Sequence, residues 1–429
     1  MNSYYSGLYW TEEDNIDRKM VRNHLRVVGT AHVGQLVVDC WQKSGDLIGV
    51  PRYWARSQGL PGQDRTVCPR ASWPAFRGKY RDNQPKALQE MLGALKQHQS
   101  YLLQAHTGFG KSLVGLSGVA ALQTNVLVVA HKTDLLKQWR DSAKDFFGVE
   151  SGLVQGDQWD WKHKVVVTTM QTLIKNLDKL PKGFKEHFGC LLIDEGHHMP
   201  CDTLTNIVSA LPARYRIGMS ATWNRTDNLG RVWELHFGKL GTKFKDVNQE
   251  TKKYVHFLPV KLNLSDKSHY IKGKLSHSKY ITSIGQSQEL VWKLIDKIQA
   301  ALDQGRRVLV VSHRTEQLKM FKIGLDSRGV KSIMYTGPSK TTKEQARQCR
   351  VILATAQKVS EGTDIPELDT LVMATPIGDI TQVAGRITRK HKGKKSPLII
   401  YPIIQTPYLI AISKKIVKQA AALDFKQIK

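Results

Sequence analysis

Between the apolar Tyr101-Leu102-Leu103 and the helix-like Leu113-Val114-Gly115-Leu116 lies the stretch Ala105-His106-Thr107-Gly108-Phe109-Gly110-Lys111-Ser112. It reads as a strand, a glycine loop and a helix start, which commits this part of the chain to an α/β layer architecture. Glycines there let backbone N–H groups turn inward around phosphate oxygens, while the lysine reaches the β- and γ-phosphates and the Ser112 hydroxyl can ligate Mg2+. A plain strand-to-helix turn needs glycine but has no use for Lys-Ser at the helix start. Thr107, Gly108, Phe109, Gly110, Lys111 and Ser112 are therefore expected to bind an NTP, although Ala105 stands where the G-x-x-x-x-G-K-[ST] pattern has its first glycine.

The chain has 429 residues, 41% of them hydrophobic, enough for two or three cores. Its 64 Lys and Arg against 37 acids give a net charge of +27, which suits a polyanionic partner, nucleic acid first. No signal peptide or lipidation motif is present, and the longest apolar run, Pro397 to Ile412, contains Pro402, Gln405 and Pro407. A soluble, intracellular protein without a membrane partner is expected. Cys40, Cys68, Cys190, Cys201 and Cys349 form no C-x-x-C pair, so neither a disulfide framework nor a zinc ribbon is indicated.

Residues 1–78 read as a small, mostly β accessory domain that binds DNA. Leu36 to Trp41, the turn Lys43 to Asp46, and Leu47 to Val50 suggest strand, turn, strand. Tyr53, Trp54 and Trp73 suit base stacking, but aromatics of a small domain more often make its core. From Tyr80 the pattern changes to a helix with Leu88, Met91, Leu92 and Leu95 on one face, followed by the glycine loop. Val126 to Ala130, Val165 to Val167, Leu191 to Ile193 and Ile217 to Met219 then have the length and composition of strands buried on both faces of a parallel sheet.

The third of these runs into Asp194-Glu195-Gly196-His197-His198. Downstream of a phosphate loop, Asp194 is placed to hold Mg2+ and Glu195 to orient and deprotonate an attacking water, with His197 as a coupling residue. His197, His198 and Cys201 lack a suitably spaced fourth ligand for zinc. A second α/β pattern, beginning at Val308 to His313, lacks a phosphate loop but carries Gln382-Val383-Ala384-Gly385-Arg386-Ile387-Thr388-Arg389. Arg386 and Arg389, three apart, would project to one side of a helix and clamp a γ-phosphate. The segment 389–429 has ten Lys or Arg against the single acid Asp424, and is read as tracking phosphates or as a solvated helix face.

Taken in order, these motifs resemble the superfamily 2 DExH-type helicases over about residues 80–400. The resemblance implies two tandem RecA-like parallel-sheet motor domains behind the N-terminal domain, at 79–250 and 251–429, using ATP and Mg2+. It implies that Arg81 and Gln84, in Tyr80-Arg81-Asp82-Asn83-Gln84, read the adenine. Ser220-Ala221-Thr222 is similar to motif III, Thr355 to Asp364 to motif V, with Gly362 and Asp364 at the nucleotide, and Gln382 to Arg389 to motif VI. Ala130 to Trp139 and Thr168 to Leu173 look like the stretches that grip one nucleic-acid strand. Arg214 to Thr222 followed by Asn224-Arg225, with Val50-Pro51-Arg52-Tyr53 earlier, is similar to the XPB and phage UvsW group of DNA helicases, although Trp223 stands where that family usually has Pro. This group implies single-stranded, forked or branched DNA as partner, with an RNA helicase and an annealing protein on a retired motor as the alternatives, and a phage origin would place the work in a bacterial cytoplasm.

Overall fold

The computed structural model describes the chain apart from residues 1, 31–34, 107, 224, 226, 245–251, 263–268, 272–273, 338, 340, 361–364, 377–379, 390, 392 and 429. It divides into two units, Met1–Asp246 and Val247–Lys429.

The first unit opens with β1 (Ser3–Tyr5) and β2 (Leu8–Glu12), then the ribbon β3 (Arg26–Thr30) and β4 (Gln35–Asp39), then β5 (Gln42–Ser44), β6 (Leu47–Pro51) and β7 (Gln63–Asp64). A small sheet forms in the order β5-β6-β2-β1-β7, with β3 and β4 paired separately. The strand expected over 36–41 ends at Asp39, as β4, and pairs with β3. Cys40 beyond it is buried and its N–H donates to the Leu25 carbonyl at 2.9 Å, and the strand that faces β6 is instead β5, which takes up part of the expected turn. Burying Cys40 and satisfying its amide overrides the continuous apolar pattern. Trp54 and Trp73 lie in the core and the Trp73 indole donates to the Thr124 carbonyl at 2.8 Å, while Tyr53 is half-buried.

The α/β layer of this unit has β8 (Ser100–Ala105), β9 (Val126–Ala130), β10 (Ser151–Gln155), β11 (Gln158–Trp159), β12 (Val165–Thr169), β13 (Cys190–Asp194), β14 (Tyr215–Ser220) and β15 (Leu240–Phe244). Their order among the described residues is β11-β10-β12-β9-β13-β14-β8-β15, parallel throughout except for the β10–β11 hairpin. All residues of β9, β12 and β13 are buried, as strands without a polar face require. Only β14 separates β8 from β13. The loop after β8, the acids after β13 and Ser220 therefore emerge side by side at the carboxyl edge of the sheet, where such folds bind ligands.

The N-terminal sheet is pinned to this layer by two buried arginines. Arg52 donates to the carbonyls of Ser6 (3.2 Å), Ala213 (3.0 Å) and Arg214 (2.6 Å), and Arg216 to those of His236 (3.2 Å) and Gly7 (3.0 Å). Burial pushes the Arg52 pKa well down, helped by the charge of Arg216, and burial pushes Arg216 down to about 9. Gly7 is required at the seam, because a Cβ there would lie 1.7 Å from the Val208 carbonyl oxygen.

In the second unit, β16 (Lys253–Val260) precedes a short ribbon, β17 (Tyr270–Ile271) and β18 (Lys274–Leu275). Then come β19 (Val308–Ser312), β20 (Ser332–Tyr335), β21 (Val351–Thr355), β22 (Thr370–Met373), β23 (Leu398–Ile404) and β24 (Phe425–Ile428). They form an all-parallel sheet in the order β20-β21-β19-β22-β23-β16-β24. The apolar run 397–412 is thereby divided between the buried strand β23 and the helix Pro407–Ala422. Among the described residues, no helix is long and apolar enough to cross a membrane.

Replacing Arg52 by Leu strands buried carbonyls at the seam, and is expected to cost about 3 kcal/mol, or roughly 6–12 °C in the melting temperature of the first unit. Differential scanning calorimetry of the purified variant checks this.

Candidate functional site

The loop after β8 owes its shape to two glycines. Gly108 and Gly110 both have φ +87°, and Gly110 caps the helix Lys111–Leu122. A Cβ on Gly110 would also lie 2.5 Å from the side-chain amide nitrogen of Gln84. That amide donates to the Phe109 carbonyl at 2.6 Å, while the Gln84 carbonyl oxygen accepts from the Arg81 N–H at 2.8 Å. Gln84 and Arg81 are thus brought against the loop, with Gln84 buried beneath it. The Phe109 ring is also buried and packs on Phe244 at 5.5 Å, so this residue offers the loop its backbone only.

Lys111 folds back toward the strand end. Its Nζ lies 3.4 Å from the Ala105 carbonyl oxygen and 3.5 Å from Glu195 Oε1. Glu195 Oε2 lies 3.4 Å from His197 Nδ1, so the carboxylate sits between an ammonium and an imidazole. The Glu195 backbone is left-handed, at φ +48° and ψ +46°, a conformation costly for a residue with a Cβ and found where a site imposes it.

Both oxygens of Asp194 are engaged. Oδ1 accepts from the Glu195 N–H at 2.9 Å, and Oδ2 accepts from the Trp139 indole at 2.8 Å. Trp139 is a site residue that the sequence pattern assigned only to a gripping stretch. Its signal is a tryptophan on the buried face of the helix Thr133–Phe147, whose indole N–H requires an acceptor. Burial, then the charge of Glu195, pushes the Asp194 carboxyl above the usual range, against Lys111 and its two hydrogen bonds. Burial acts on Glu195 too, but Lys111, His197 and His198 outweigh it and hold this carboxyl below its ordinary range. The ionised form of one acid of the pair is therefore favoured. The other carries a raised proton affinity that a cation beside it would relieve.

The donor set fits Mg2+, which takes oxygen ligands: the Asp194 carboxyl on one strand end and the Ser112 hydroxyl on the helix after the loop. The Ser112 hydroxyl lies 3.5 Å from that of Ser142. Among the described residues, no three His, Cys, Asp or Glu side chains gather as a metal cluster.

Motif III closes over the acids. His197 Nδ1 and the Ser220 hydroxyl are 2.7 Å apart, and that hydroxyl accepts from the Thr222 N–H at 3.0 Å. Trp223 donates to the Leu103 carbonyl at 3.2 Å and lies 4.8 Å from Trp233. Both indoles would come within 2.7 Å of a Cβ on Gly196, so that position after Glu195 must stay glycine. The tryptophan that replaces proline thus ties motif III to the strand of the phosphate loop. Arg225 donates to the His197 and Met199 carbonyls, both at 2.9 Å, and is paired with Asp227 at 2.6 Å.

In the second unit, Arg386 is buried in the helix Thr381–Ile387, but Arg389 is not on it. The expectation that helical spacing sends both guanidinium groups to one side fails for Arg389. The helix ends at Ile387, and Lys394 holds the following backbone by donating to the Arg389 carbonyl at 2.7 Å and the Pro366 carbonyl at 2.9 Å. Burial lowers the Arg389 pKa. Thr107, Gly362, Asp364 and the side chain of Gln382 lie outside the described residues.

Residues 77–225 match the family described as "Type III restriction enzyme, res subunit". The chain is 28% identical to D10 of Escherichia phage T5, named provisionally as a helicase, over 70% of this chain and 66% of the relative. It therefore spans about two thirds of that relative's length. L396 of Acanthamoeba polyphaga mimivirus, named provisionally as an ATP-dependent RNA helicase, is 26% identical over 83% of this chain and 71% of its own. The DNA 3'-5' translocase XPB2 of Sulfurisphaera tokodaii is 23% identical over 68% and 75%. Among solved structures, the Pyrococcus furiosus Hef helicase domain superposes with a TM-score of 0.52 at 14% identity, covering 79% of this chain and 98% of that one, a likeness of fold alone. With the phosphate loop, the acid pair and motif III converging at one sheet edge, and proteins named as helicases among its relatives in sequence, the chain is related to the superfamily 2 helicases, the XPB group among them.

Proposed function

We propose that this chain is an ATP-dependent DNA translocase that remodels forks and four-way junctions. The observation that carries the reading is the placement of Glu195, ionised and strained, between Lys111 and His197 at the mouth of the phosphate loop. Lys111 would neutralise the β- and γ-phosphates of ATP, and the loop N–H groups around Gly108 and Gly110 would cradle them. Arg81 and Gln84 would meet the base, beside the loop that Gln84 already supports. Asp194 and Ser112 would hold Mg2+, which supplies positive charge to the phosphate oxygens. Glu195 would orient a water in line with the γ-phosphate and take its proton.

Arg386, Arg389 and Gln382, with Gly362 and Asp364 of the preceding motif, are proposed to act on the nucleotide too, the arginines clamping the charge of the transferring phosphoryl group. Each ATP turnover would then drive a step along a strand. The net charge of +27 supports a nucleic-acid track. DNA is favoured over RNA by the relation to a protein named a DNA translocase and by the N-terminal sheet pinned to the first motor layer. The name of the mimivirus relative supports RNA as the second reading.

Turnover stimulated most by forks or four-way junctions, measured against single-stranded DNA, plain duplex and RNA, is the expected outcome; stimulation by RNA alone would overturn the DNA assignment. Glu195→Gln is expected to lower kcat by about 100-fold or more, the usual contribution of a positioned general base. Steady-state ATPase assays with a saturating fork substrate measure it, and near-normal turnover would remove Glu195 from this role.

A further inference from the structure

A column of three imidazoles runs from the turn after β9 to the carboxylate of Glu195. The His131 and His198 rings are stacked, with centroids 4.4 Å apart and planes at 24°, and the His198 and His197 centroids are 3.9 Å apart. His197 Nδ1 ends the column 3.4 Å from Glu195 Oε2 and 2.7 Å from the Ser220 hydroxyl. At these spacings the rings are in van der Waals contact, so one cannot be displaced far without moving the next.

The far end of the column is anchored to a segment with few ways to move. His131 follows Ala130, the last residue of a wholly buried strand, and stands two residues before the helix Thr133–Phe147. That helix carries Trp139, whose indole holds Asp194 at 2.8 Å. A displacement of the 131–133 turn therefore reaches both acids, Glu195 through the imidazoles and Asp194 through the helix. Glu195 is also the residue most able to respond, because its left-handed backbone is strained and held in place by what packs around it.

We propose that His131 is a positioning residue that transmits nucleic-acid occupancy of the turn after β9 to the catalytic carboxylate of Glu195, through the packed rings of His198 and His197. This rests on the functional reading above, in which the chain tracks nucleic acid, with the stretch Ala130 to Trp139, which resembles a strand-gripping segment, as the contact. Transmission is mechanical. Burial, with the nearby His198, lowers the His131 pKa to about 4, so its ring packs as a neutral imidazole near neutral pH.

The test compares wild type, His131→Ala, His131→Phe, His198→Ala and the His131→Ala/His198→Ala double variant. Two quantities are read: the ratio of turnover with saturating single-stranded oligonucleotide to turnover without it, and oligonucleotide affinity by fluorescence anisotropy. The stimulation ratio is expected to fall about tenfold in His131→Ala, a coupling of ordinary size for packed neighbours. It should return to within about twofold of wild type in His131→Phe, which restores a flat ring, and the double variant should be no worse than either single one. Oligonucleotide affinity should stay within about threefold, since the His131 ring packs on His198 instead of meeting phosphate. An unchanged ratio in His131→Ala, a Phe variant as poor as Ala, additive losses in the double variant, or a large loss of affinity would each overturn the proposal. If wild type is not stimulated by any nucleic acid, the functional reading itself fails, a result distinguishable from a stimulated wild type with indifferent variants.

Discussion

The electrostatic contact between Lys111 and Glu195 is the interaction on which the rest of the site depends. At 3.5 Å and an effective dielectric of about 20, the pair has roughly 5 kcal/mol of Coulomb attraction before desolvation is subtracted. That attraction makes tolerable two carboxyl groups on successive residues at a buried strand end. It also divides their roles, since Lys111 and two histidines favour the charged form of Glu195 while burial and Glu195 itself disfavour the charged form of Asp194. Under the proposed function, a nucleotide entering the loop would compete for the ammonium and release the Glu195 carboxylate toward the attacking water. In that reading the resting contact would stand in for the substrate's phosphates.

Everything that positions this contact traces to sheet order. Parallel strands with no polar face must be covered on both sides, and the order that results leaves only β14 between the phosphate loop and the acids. The intervening strand is the one that ends in motif III, and its Ser220 and Trp223 reach sideways to His197 and to the Leu103 carbonyl. The strained turn at Glu195 is therefore braced from the strand beside it, which gives the small residues Ser220 and Gly196 a physical purpose. The N-terminal sheet joins the same layer through buried guanidinium groups on backbone carbonyls, which makes the attachment a rigid one.

Much of this was legible in the chain. Val126 to Ala130 and Leu191 to Ile193 announced buried parallel strands because their composition allows nothing else, and the loop at 105–112 and the Asp194-Glu195 pair carry chemistry in their residue types. What was not legible depends on contacts distant in sequence. The bond from Trp139 to Asp194 spans 55 residues and appears only once helix and strand are packed. The left-handed backbone of Glu195 has no local signal, since nothing in a glutamate announces φ +48°. The sequence offers Gln84 a base to face and says nothing of the loop its side chain supports, and the spacing of Arg386 and Arg389 suggests one helix face where the helix stops between them. Near the N-terminus, the apolar pattern of 36–41 masked the strand end at Asp39, beside the buried Cys40.

Equilibrium binding of a fluorescent ATP analogue with Mg2+ to wild type, Lys111→Ala and Glu195→Gln tests most directly whether the Lys111–Glu195 contact stands in for bound phosphate. Removing the carboxylate charge frees the ammonium and lifts a repulsion, so Glu195→Gln should bind the analogue at least as tightly as wild type. Losing a charge-assisted contact should weaken binding to Lys111→Ala by roughly 10- to 100-fold. Equal weakening in both variants, or wild-type affinity in Lys111→Ala, would contradict it.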